Sequence, residues 1–328
     1  MDSLPEIPLL EIGAGGARAI YAASPERAAA LIAAARRMYT PPVMALADRL
    51  SAAWLARAAN PHRAEIAEIG ALLGRPGAAM LNLSFEWGCT TSAVADPTGP
   101  GNRLLRTLDW PFRGLGRNVV VARESGPAGE FLNVTWPGAA TVLTAMAPGR
   151  FSAAINQAPM RRHGIGLVGD WAVNRARLWR RRELPPAHLL RRVFETARDY
   201  AEAKAMLAGT PIALPVLFTL SGIGANQGCV IERQEDSGVV RESPAVCAND
   251  WVGKAPPGRP RGRDNAERRR QLGFAAAEAG DGFAWLAPPV LNDETRLAVA
   301  ANASRGRLAV LGLEEDGPAT REFQWGFN

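Results

Sequence analysis

The chain has 328 residues, 47% of them hydrophobic and 21% charged, and carries a formal net charge of +6. These values are typical of a globular protein and exclude a disordered or fibrous one, and the length predicts one large domain or two moderate ones. Because no apolar run is long enough to cross a bilayer, we expect no stable membrane insertion.

The composition also bears on where in the cell the protein is found and on whether it binds nucleic acid. The first residues lack the basic region and the apolar core of a secretory signal, and three cysteines are too few for a disulfide framework. Both features favour a cytoplasmic location. Arginine-rich stretches at 175–182 and 259–270 leave nucleic-acid binding open as an alternative, which would show as strongly salt-dependent retention on DNA or RNA. No nucleic-acid-binding motif accompanies them, so we expect no such partner.

The first quarter of the chain predicts helices. Ser24 and Pro25 supply an N-cap and a first helical residue for a run that continues to Tyr39. A second helical run covers 43–59, and a third covers 62–73. We therefore predict a mainly helical N-terminal block, with the glycines at 13–16 forming a turn rather than a phosphate loop.

The pattern changes to strands near residue 81. Pro and Gly turns separate short alternating or β-branched runs, which are typical of strands. The predicted strands are 89–95, 118–123, 131–136, 140–147, 151–156, 213–220, 228–233, 238–241, 244–248 and 307–313, with helices at 187–208 and about 264–279. Strands grouped in this way, with helices between the groups, favour an α+β fold built from antiparallel sheets.

The histidines suggest no metal site. His62, His163 and His188 are far apart and have no ligand spacing with Cys or a carboxylate, so we expect no metal or cofactor. We expect surface positions for His62, at a helix start, and for His188, which follows two prolines. Unless folding brings a distant histidine close, a Cys–His or Ser–His mechanism would lack its base.

Cys89 directly follows Gly88, near the boundary between the helical N-terminal block and the strand-rich part of the chain. If 89–95 pairs with 103–110 across the turn at 96–101, Arg106 and Asp109 return towards the start of the first strand. A guanidinium near a thiol favours the thiolate, and an aspartate near an ammonium would hold it. A local surface ion pair between Arg106 and Asp109 remains the alternative.

Several motifs in order resemble one family. NLSFEWGCTTSAVADPTGPGNRLLRTLDWPF, residues 82–112, resembles the region around the nucleophile in acid ceramidase and N-acylethanolamine acid amidase. These are choloylglycine-hydrolase-like members of the N-terminal nucleophile (Ntn) hydrolases, related to penicillin acyltransferase. Segments 136–156, 221–233 and 248–250 resemble further family motifs, although Thr107 stands where the family usually has Asn. The resemblance implies an αββα sandwich with two antiparallel sheets, preceded by a helical segment.

The resemblance also implies self-cleavage. Cys89 would attack the Gly88 carbonyl and divide the chain into a small subunit, 1–88, and a catalytic domain, 89–328, which stay together by packing. Gly88 suits this reaction because a residue without Cβ leaves its carbonyl open. The freed amine of Cys89, with a pKa of about 8, would serve as the base. Asp109 would orient that amine, and Arg106 would support the charged site.

Further site residues follow from the same resemblance. Asn249 would donate its side-chain NH₂ to the oxyanion, although an Asx-turn is the alternative. The family has a later arginine near the site. Arg268 is preferred for it, and Arg263 remains open as a substrate-binding residue. An acyl pocket would be lined by Trp110, Phe112 and Trp136, unless these are plain core aromatics. Cys229 and Cys247 would be inert buried thiols.

The function implied is hydrolysis of linear N-acyl amides through a thioester acyl-enzyme. One alternative is an acyltransferase, in which an amine rather than water takes the acyl group. Another, from a different class, is a catalytically silent binding protein on the same fold. The sequence does not specify the acyl chain, the amine or the oligomeric state.

Overall fold

A computed structural model describes residues 4–84, 87–253 and 255–326. Within these ranges the helices fall into an N-terminal group and a later group. They are α1 (Gly16–Ala23), α2 (Pro25–Tyr39), α3 (Pro41–Arg57), α4 (Arg63–Leu73), α5 (Ala78–Asn82), α6 (Gly166–Arg180), α7 (Pro186–Thr196), α8 (Tyr200–Gly209) and α9 (Asn265–Glu278). A short 3₁₀ turn covers Gly116–Asn118.

Most strands belong to two large sheets. The strands are β1 (Leu9–Gly13), β2 (Gly88–Ala95), β3 (Asn102–Asp109), β4 (Val120–Gly126), β5 (Gly129–Thr135), β6 (Thr144–Ala147), β7 (Phe151–Gln157), β8 (Met160–Arg161), β9 (Val216–Gly222), β10 (Gly228–Arg233), β11 (Gly238–Glu242), β12 (Ala245–Cys247), β13 (Gly258–Arg259), β14 (Thr295–Asn302), β15 (Arg307–Glu314), β16 (Gly317–Pro318) and β17 (Phe323–Trp325).

The first sheet has the order β1-β4-β5-β6-β7-β9-β10-β11, and the second β12-β2-β3-β14-β15-β16, with β17 also on β15. Strands β8 and β13 form a separate short pair. Neighbouring strands in both large sheets are antiparallel, except β1, which runs parallel to β4 with Leu9 opposite Val121. An N-terminal strand therefore closes one edge of the sheet that the rest of the chain builds.

The two sheets stack face to face because each strand alternates its side chains. On β3, Leu104 and Leu108 point into the central core, which also contains Ile155 of β7 and Phe218 of β9. Leu105, between them, faces the opposite side of the sheet, together with buried residues of α9. On the far side of the first sheet, α7 and α8 cover the strands. The layers are thus helix, sheet, sheet and helix.

The N-terminal helices add to this sandwich instead of forming a separate core. Leu31 of α2 and Met44 of α3 belong to the central core cluster. Trp54 and Ile69 form a second cluster with residues from both sides of position 88, including Ala140 and Ala213. The segment before Gly88 is therefore packed as part of one body.

Several predicted elements are confirmed and others need correction. The three N-terminal helices, both strands of the hairpin beginning at Gly88, and α9 lie where the sequence predicts them. The single helix expected at 187–208 is wrong, because the chain leaves helical geometry at Ala197 and Asp199 then caps α8 by accepting a hydrogen bond from the Glu202 amide. Strands β1 and β14 and helix α6 were not predicted.

Candidate active site

The site is built on the β2–β3 hairpin. The hairpin register pairs Gly88 with Asp109, Cys89 with Leu108 and Thr91 with Arg106. The turn that joins the strands contains Asp96, whose side chain accepts hydrogen bonds from both the amide and the hydroxyl of Thr98. This pairing brings Arg106 and Asp109 back to the start of β2, and both are almost fully buried. The alternative of a surface ion pair between them is therefore wrong.

Arg106 lies against the thiol of Cys89. Its Nη2 is 3.2 Å from the Cys89 Sγ and 3.3 Å from the backbone oxygen of Ile155, to which it donates. Its Nη1 donates to the Thr144 hydroxyl and to the Leu143 carbonyl. These acceptors on β7 and at the start of β6 hold the guanidinium in the space between the two sheets.

Burial decides the protonation state of this thiol. Cys89 is 0% exposed in the uncut chain. Its burial raises the pKa of the Cys89 thiol, and this outweighs the opposing effect of the adjacent Arg106 guanidinium. Arg106 opposes that rise, as expected of a guanidinium beside a thiol, but in the intact chain burial keeps the thiol in its neutral form.

Asn249 faces the backbone nitrogen of Cys89. Cys247 of β12 pairs with Thr91 of β2, so the chain leaving β12 runs towards Cys89. The Cys89 amide donates to the Asn249 Oδ1 over 2.7 Å, and the Asn249 Nδ2 donates to the Gln157 carbonyl over 2.9 Å. In the intact chain the side-chain oxygen of Asn249 thus faces the nucleophile, and its NH₂ group, the predicted oxyanion donor, is bonded to Gln157.

Arg268 joins Asp109 to Asn249. It lies on α9, where Asn265, Arg268, Leu272 and Ala276 share the buried face. Its Nη1 donates to the Asp109 Oδ2 over 2.5 Å, and its Nη2 donates to the Asn249 Oδ1 over 3.2 Å. Burial raises the pKa of the Asp109 carboxyl, and the Arg268 guanidinium is the strongest effect opposing that rise.

The structure distinguishes between the two arginines that the sequence left open. Arg268 is 2% exposed and reaches the buried set. Arg263 is exposed on the turn before α9, outside the buried set formed by Cys89, Asp109 and Asn249. Gly262 beside it adopts a φ of +67°, and a Cβ there would lie 2.7 Å from the Arg268 Nη2. The turn is therefore shaped by the packing of Arg268.

Sequence reasoning missed three polar residues of this set. The Thr295 hydroxyl donates to the Asp109 Oδ1 over 2.9 Å, and the Asn265 Oδ1 accepts from the Arg268 Nη2 over 2.7 Å and from the Asn249 amide over 3.0 Å. Asn156 accepts from the Thr91 hydroxyl over 2.6 Å. Asn265 could have been found, because it lies three residues before Arg268 on the same helical face.

An apolar pocket adjoins the hairpin, and we call it the acyl pocket. Its empty volume, including the open mouth, is about 800 Å³. The wall of this pocket contains the three aromatics expected to line it, Trp110, Phe112 and Trp136. It also contains Leu108, the cross-strand partner of Cys89, and Trp87, which precedes Gly88 in the chain. The ring centroids of Trp87 and Trp110 are 5.6 Å apart, and those of Trp110 and Phe112 are 5.2 Å apart.

The described contacts of the three histidines are with residues other than Cys89. The expected surface position of His188 is wrong: it is fully buried on α7, its Nδ1 is 3.0 Å from the Asn60 Nδ2, and its ring centroid is 4.8 Å from that of His62. Cys229 and Cys247 are buried as expected, and burial raises the pKa of the Cys247 thiol to about 12. Across the ranges the structure describes, no group of three or more His, Cys, Asp or Glu could hold a metal ion.

The four-layer fold is the one that the sequence resemblance implied, that of an Ntn hydrolase. The structure resembles that of a Caenorhabditis elegans N-acylethanolamine-hydrolyzing acid amidase ortholog, with a TM-score of 0.51 and 19% identity, over 66% of this chain and 93% of the other. The Ntn-hydrolase fold predicted from the sequence is thereby confirmed. No family model matches the chain.

Curated relatives confirm the predicted resemblance. The chain is 32% identical to acid ceramidase of Heterocephalus glaber over 106 residues, which is 32% of this chain and 25% of that protein. It is 26% identical to the N-acylethanolamine-hydrolyzing acid amidase of Oryctolagus cuniculus over 161 residues, or 48% of this chain and 42% of that protein. The matched region thus covers from a quarter to less than half of the length of these relatives.

None of the helices within the described ranges is both long enough and apolar enough to cross a bilayer. Phe85 and Glu86 of the motif at 82–112 lie outside the described residues.

Proposed function

We propose that this chain is a self-processing cysteine amidase that hydrolyses linear N-acyl amides. One observation carries the proposal: Cys89 has its sulfur 3.2 Å from Arg106 and its amide nitrogen 2.7 Å from Asn249, with Gly88 directly before it. Similarity to acid ceramidases and N-acylethanolamine-hydrolyzing amidases supports the same chemistry.

The first reaction is cleavage of the chain. The Cys89 sulfur attacks the Gly88 carbonyl carbon, the C–N bond breaks, and the nitrogen of Cys89 takes up a proton and becomes a free amine. Water then hydrolyses the thioester and releases Gly88 as a carboxylate. Gly88 is the residue opposite Asp109, and a Cβ at this position would lie 3.4 Å from the Asp109 Cβ. This is an ordinary van der Waals distance, so the structure leaves room for a Cβ at position 88.

The second reaction uses the new amine. An α-amine with a pKa of about 8 can take the thiol proton and later give it to the leaving amine, so no histidine is required. Asn249 accepts from this nitrogen in the intact chain and is placed to orient the amine after the cut. Arg268 donates to both Asp109 and Asn249 and so holds the Asn249 side chain in place. In this scheme the oxyanion donor must be a group other than the Asn249 NH₂ unless that amide reorients.

The acyl pocket would receive the apolar part of the substrate. Leu108, on its wall, is the cross-strand partner of Cys89, and Leu143, also on the wall, accepts from Arg106. Trp87, one residue before the proposed cut, forms part of the same wall. Movement of the freed end after cleavage would therefore open the pocket towards the sulfur.

The two pieces would remain associated after the cut. Strand β1 stays hydrogen-bonded to β4. The Asn82 side chain is held from both directions, because its Nδ2 donates to the Gly138 carbonyl over 2.9 Å and its Oδ1 accepts from the Ala140 amide over 2.6 Å. The Arg191–Glu65 ion pair, 2.6 Å long and mostly buried, joins α7 to α4.

The test is the intact mass and N-terminal sequence of the purified protein. We expect two polypeptides, 1–88 and 89–328, that elute together until they are denatured, and turnover of an N-acyl amide. The Cys89→Ala variant should remain one chain of 35.0 kDa without activity. Cys247→Ala, which removes another fully buried thiol, is the matched control and should still be cut. Cleavage or turnover in Cys89→Ala would refute the proposal. The cytoplasmic location is part of the proposal and is tested by fractionation of the source cells.

A further inference from the structure

Asn156 of β7 makes hydrogen bonds across the space between the two large sheets. Its Oδ1 accepts from the Thr91 hydroxyl over 2.6 Å, and its Nδ2 donates to the Ala248 carbonyl over 3.0 Å and to the Cys247 carbonyl over 3.5 Å. The residue is 0% exposed. One buried amide of the first sheet therefore holds two segments of the second sheet, β2 and the end of β12.

These bonds allow only one orientation of the Asn156 amide. A carbonyl oxygen can only accept, so the Nδ2 must face Ala248 and the Oδ1 must face Thr91, whose hydroxyl then acts as the donor. The same argument applies to Asn249, because its Nδ2 also donates to a carbonyl and its Oδ1 accepts from the Cys89 nitrogen. Neither amide can reverse without losing these bonds.

The residues on either side of Asn156 contact the same site. The Ile155 carbonyl accepts from the Arg106 Nη2 over 3.3 Å, and the Gln157 carbonyl accepts from the Asn249 Nδ2 over 2.9 Å. Both carbonyls lie beyond the last residue of β7 that pairs with β6. Three consecutive residues of one strand thus bind the guanidinium beside the thiol, the strand of the nucleophile, and the amide that faces its nitrogen.

The partners of Asn156 lie close in sequence to the two groups that must meet. Thr91 is two residues after Cys89, and Ala248 directly precedes Asn249. Backbone pairing between β12 and β2 ends at Thr91. Asn156 therefore holds the chain on both sides of the contact between the Cys89 nitrogen and the Asn249 Oδ1.

We propose that Asn156 is a positioning residue, which keeps the Asn249 Oδ1 at the Cys89 nitrogen once the Gly88–Cys89 bond has been cut. This inference rests on the proposed amidase function and adds a residue that acts through Asn249. In the intact chain the peptide bond also restrains the nitrogen, whereas the free amine depends on its hydrogen-bond partners. An acceptor oxygen favours the ammonium form over the neutral amine and so raises the pKa of the amine.

Other titratable and charged groups also face this nitrogen. They are the Cys89 thiol itself, Arg106 and Asp109 of β3, Cys247 of β12, and Arg268 of α9. Substitution of Asn156 leaves all of them in the chain. A change in the pKa of the amine would therefore report its hydrogen bond to Asn249.

Hydrogen exchange tests the geometry without any chemistry. In the uncut Cys89→Ala protein the amide of residue 89 still faces Asn249, and its exchange is read from fragment masses. Asn156→Leu removes the hydrogen bonds and should speed this exchange by about tenfold, relative to the amides of β14. The matched control is Asn133→Leu, which removes another buried Asn of the same sheet. If the two variants exchange alike at residue 89, Asn156 does not position Asn249.

The pH dependence of turnover tests the role in catalysis. The substrate is N-decanoyl-7-amino-4-methylcoumarin, a neutral amide whose product is fluorescent. In Asn156→Leu the midpoint of the acidic limb of kcat/KM should move to lower pH by about half a pH unit or more, and the plateau should fall by about tenfold. Thr91→Val should act in the same direction, whereas Thr91→Ser keeps the hydroxyl and should resemble the parent. Asn133→Leu should leave the midpoint unchanged.

The outcomes separate this inference from the proposed function. In a protein that is cut and active, a lower plateau with an unchanged midpoint would show that Asn156 has only a structural role, and the amidase function would stand. Equal impairment of Thr91→Ser and Thr91→Val would refute the inference as well. If the parent is neither cut nor active, the proposed function fails, and exchange at residue 89 decides whether Asn156 holds Asn249 in place.

Discussion

Replacement of Arg268 by Met tests whether the buried ion pair holds the site together. Met fills a similar length but carries no charge, so the carboxylate of Asp109 would lose its cationic partner while remaining 3% exposed. Three oxygens, those of Asp109, Asn265 and Asn249, would lose donors now at 2.5, 2.7 and 3.2 Å. Removing one partner of a buried pair costs about 3–5 kcal/mol, and we expect the free energy of unfolding to fall by that amount.

A double variant separates the lone charge from lost packing. Asp109→Asn combined with Arg268→Met removes both charges, so we expect it to be more stable than the sum of the single effects predicts, with a coupling of about 0.5–3 kcal/mol. The matched control is Arg270→Met on the same helix. Its side chain is 59% exposed and pairs with Glu267. Loss of such a solvent-exposed pair should change stability far less than loss of the buried pair, because water screens the interaction.

The measurement is urea unfolding followed by tryptophan fluorescence. All variants are made in the Cys89→Ala protein, so that each sample is a single uncut chain. If Arg268→Met costs no more than Arg270→Met, or if the two single effects simply add in the double variant, the buried pair does not stabilise the site as argued.

Three further outcomes are expected. Burial holds the pKa of His188 well below 6.5, so the unfolded chain takes up the proton first, and the free energy of unfolding should fall by up to about 1.4 kcal/mol per pH unit as pH drops below that value. His188→Gln should flatten this slope, as measured by denaturation at several pH values, and an unchanged slope would contradict the argument. Gly262→Ala, at a φ of +67°, should destabilise the protein by about 1–2 kcal/mol and Gly280→Ala, with open space around it, by less; equal melting temperatures would contradict this. In the fraction that remains uncut, mass spectrometry should find Cys89 unmodified by iodoacetamide until the chain is unfolded, and rapid native labelling would show that the thiol is accessible.

The hairpin could be predicted because its information is local. Asp96-Pro97 and the glycines near 100 mark the turn between two β-rich runs, and the two-residue periodicity then fixes which side chains lie near Cys89. The placement of Arg106 and Asp109 follows from this pairing alone. Their roles in catalysis stay predictions, because position does not test chemistry.

Residues contributed by distant strands were beyond the reach of these patterns. Thr295 begins β14, which pairs with β3, and Thr295 and Asp109 are 186 positions apart in the sequence. No local pattern predicts which of two such distant strands lie side by side. The same limit explains His188, whose burial depends on Asn60 and His62 from a different part of the chain. By contrast, the choice of Arg268 over Arg263 was available from helical spacing, since Asn265, Arg268 and Leu272 share a face.

The long reach of β14 has a consequence for the order of synthesis. During translation the nucleophile at position 89 is made long before Thr295, whose hydroxyl holds Asp109. A nascent chain that stops before this strand lacks β14, one of the two neighbours of β3, and with it the Thr295 hydroxyl that donates to Asp109. Products that terminate before Thr295 therefore lack part of the polar set around the thiol, and this set is complete only once β14 has been made.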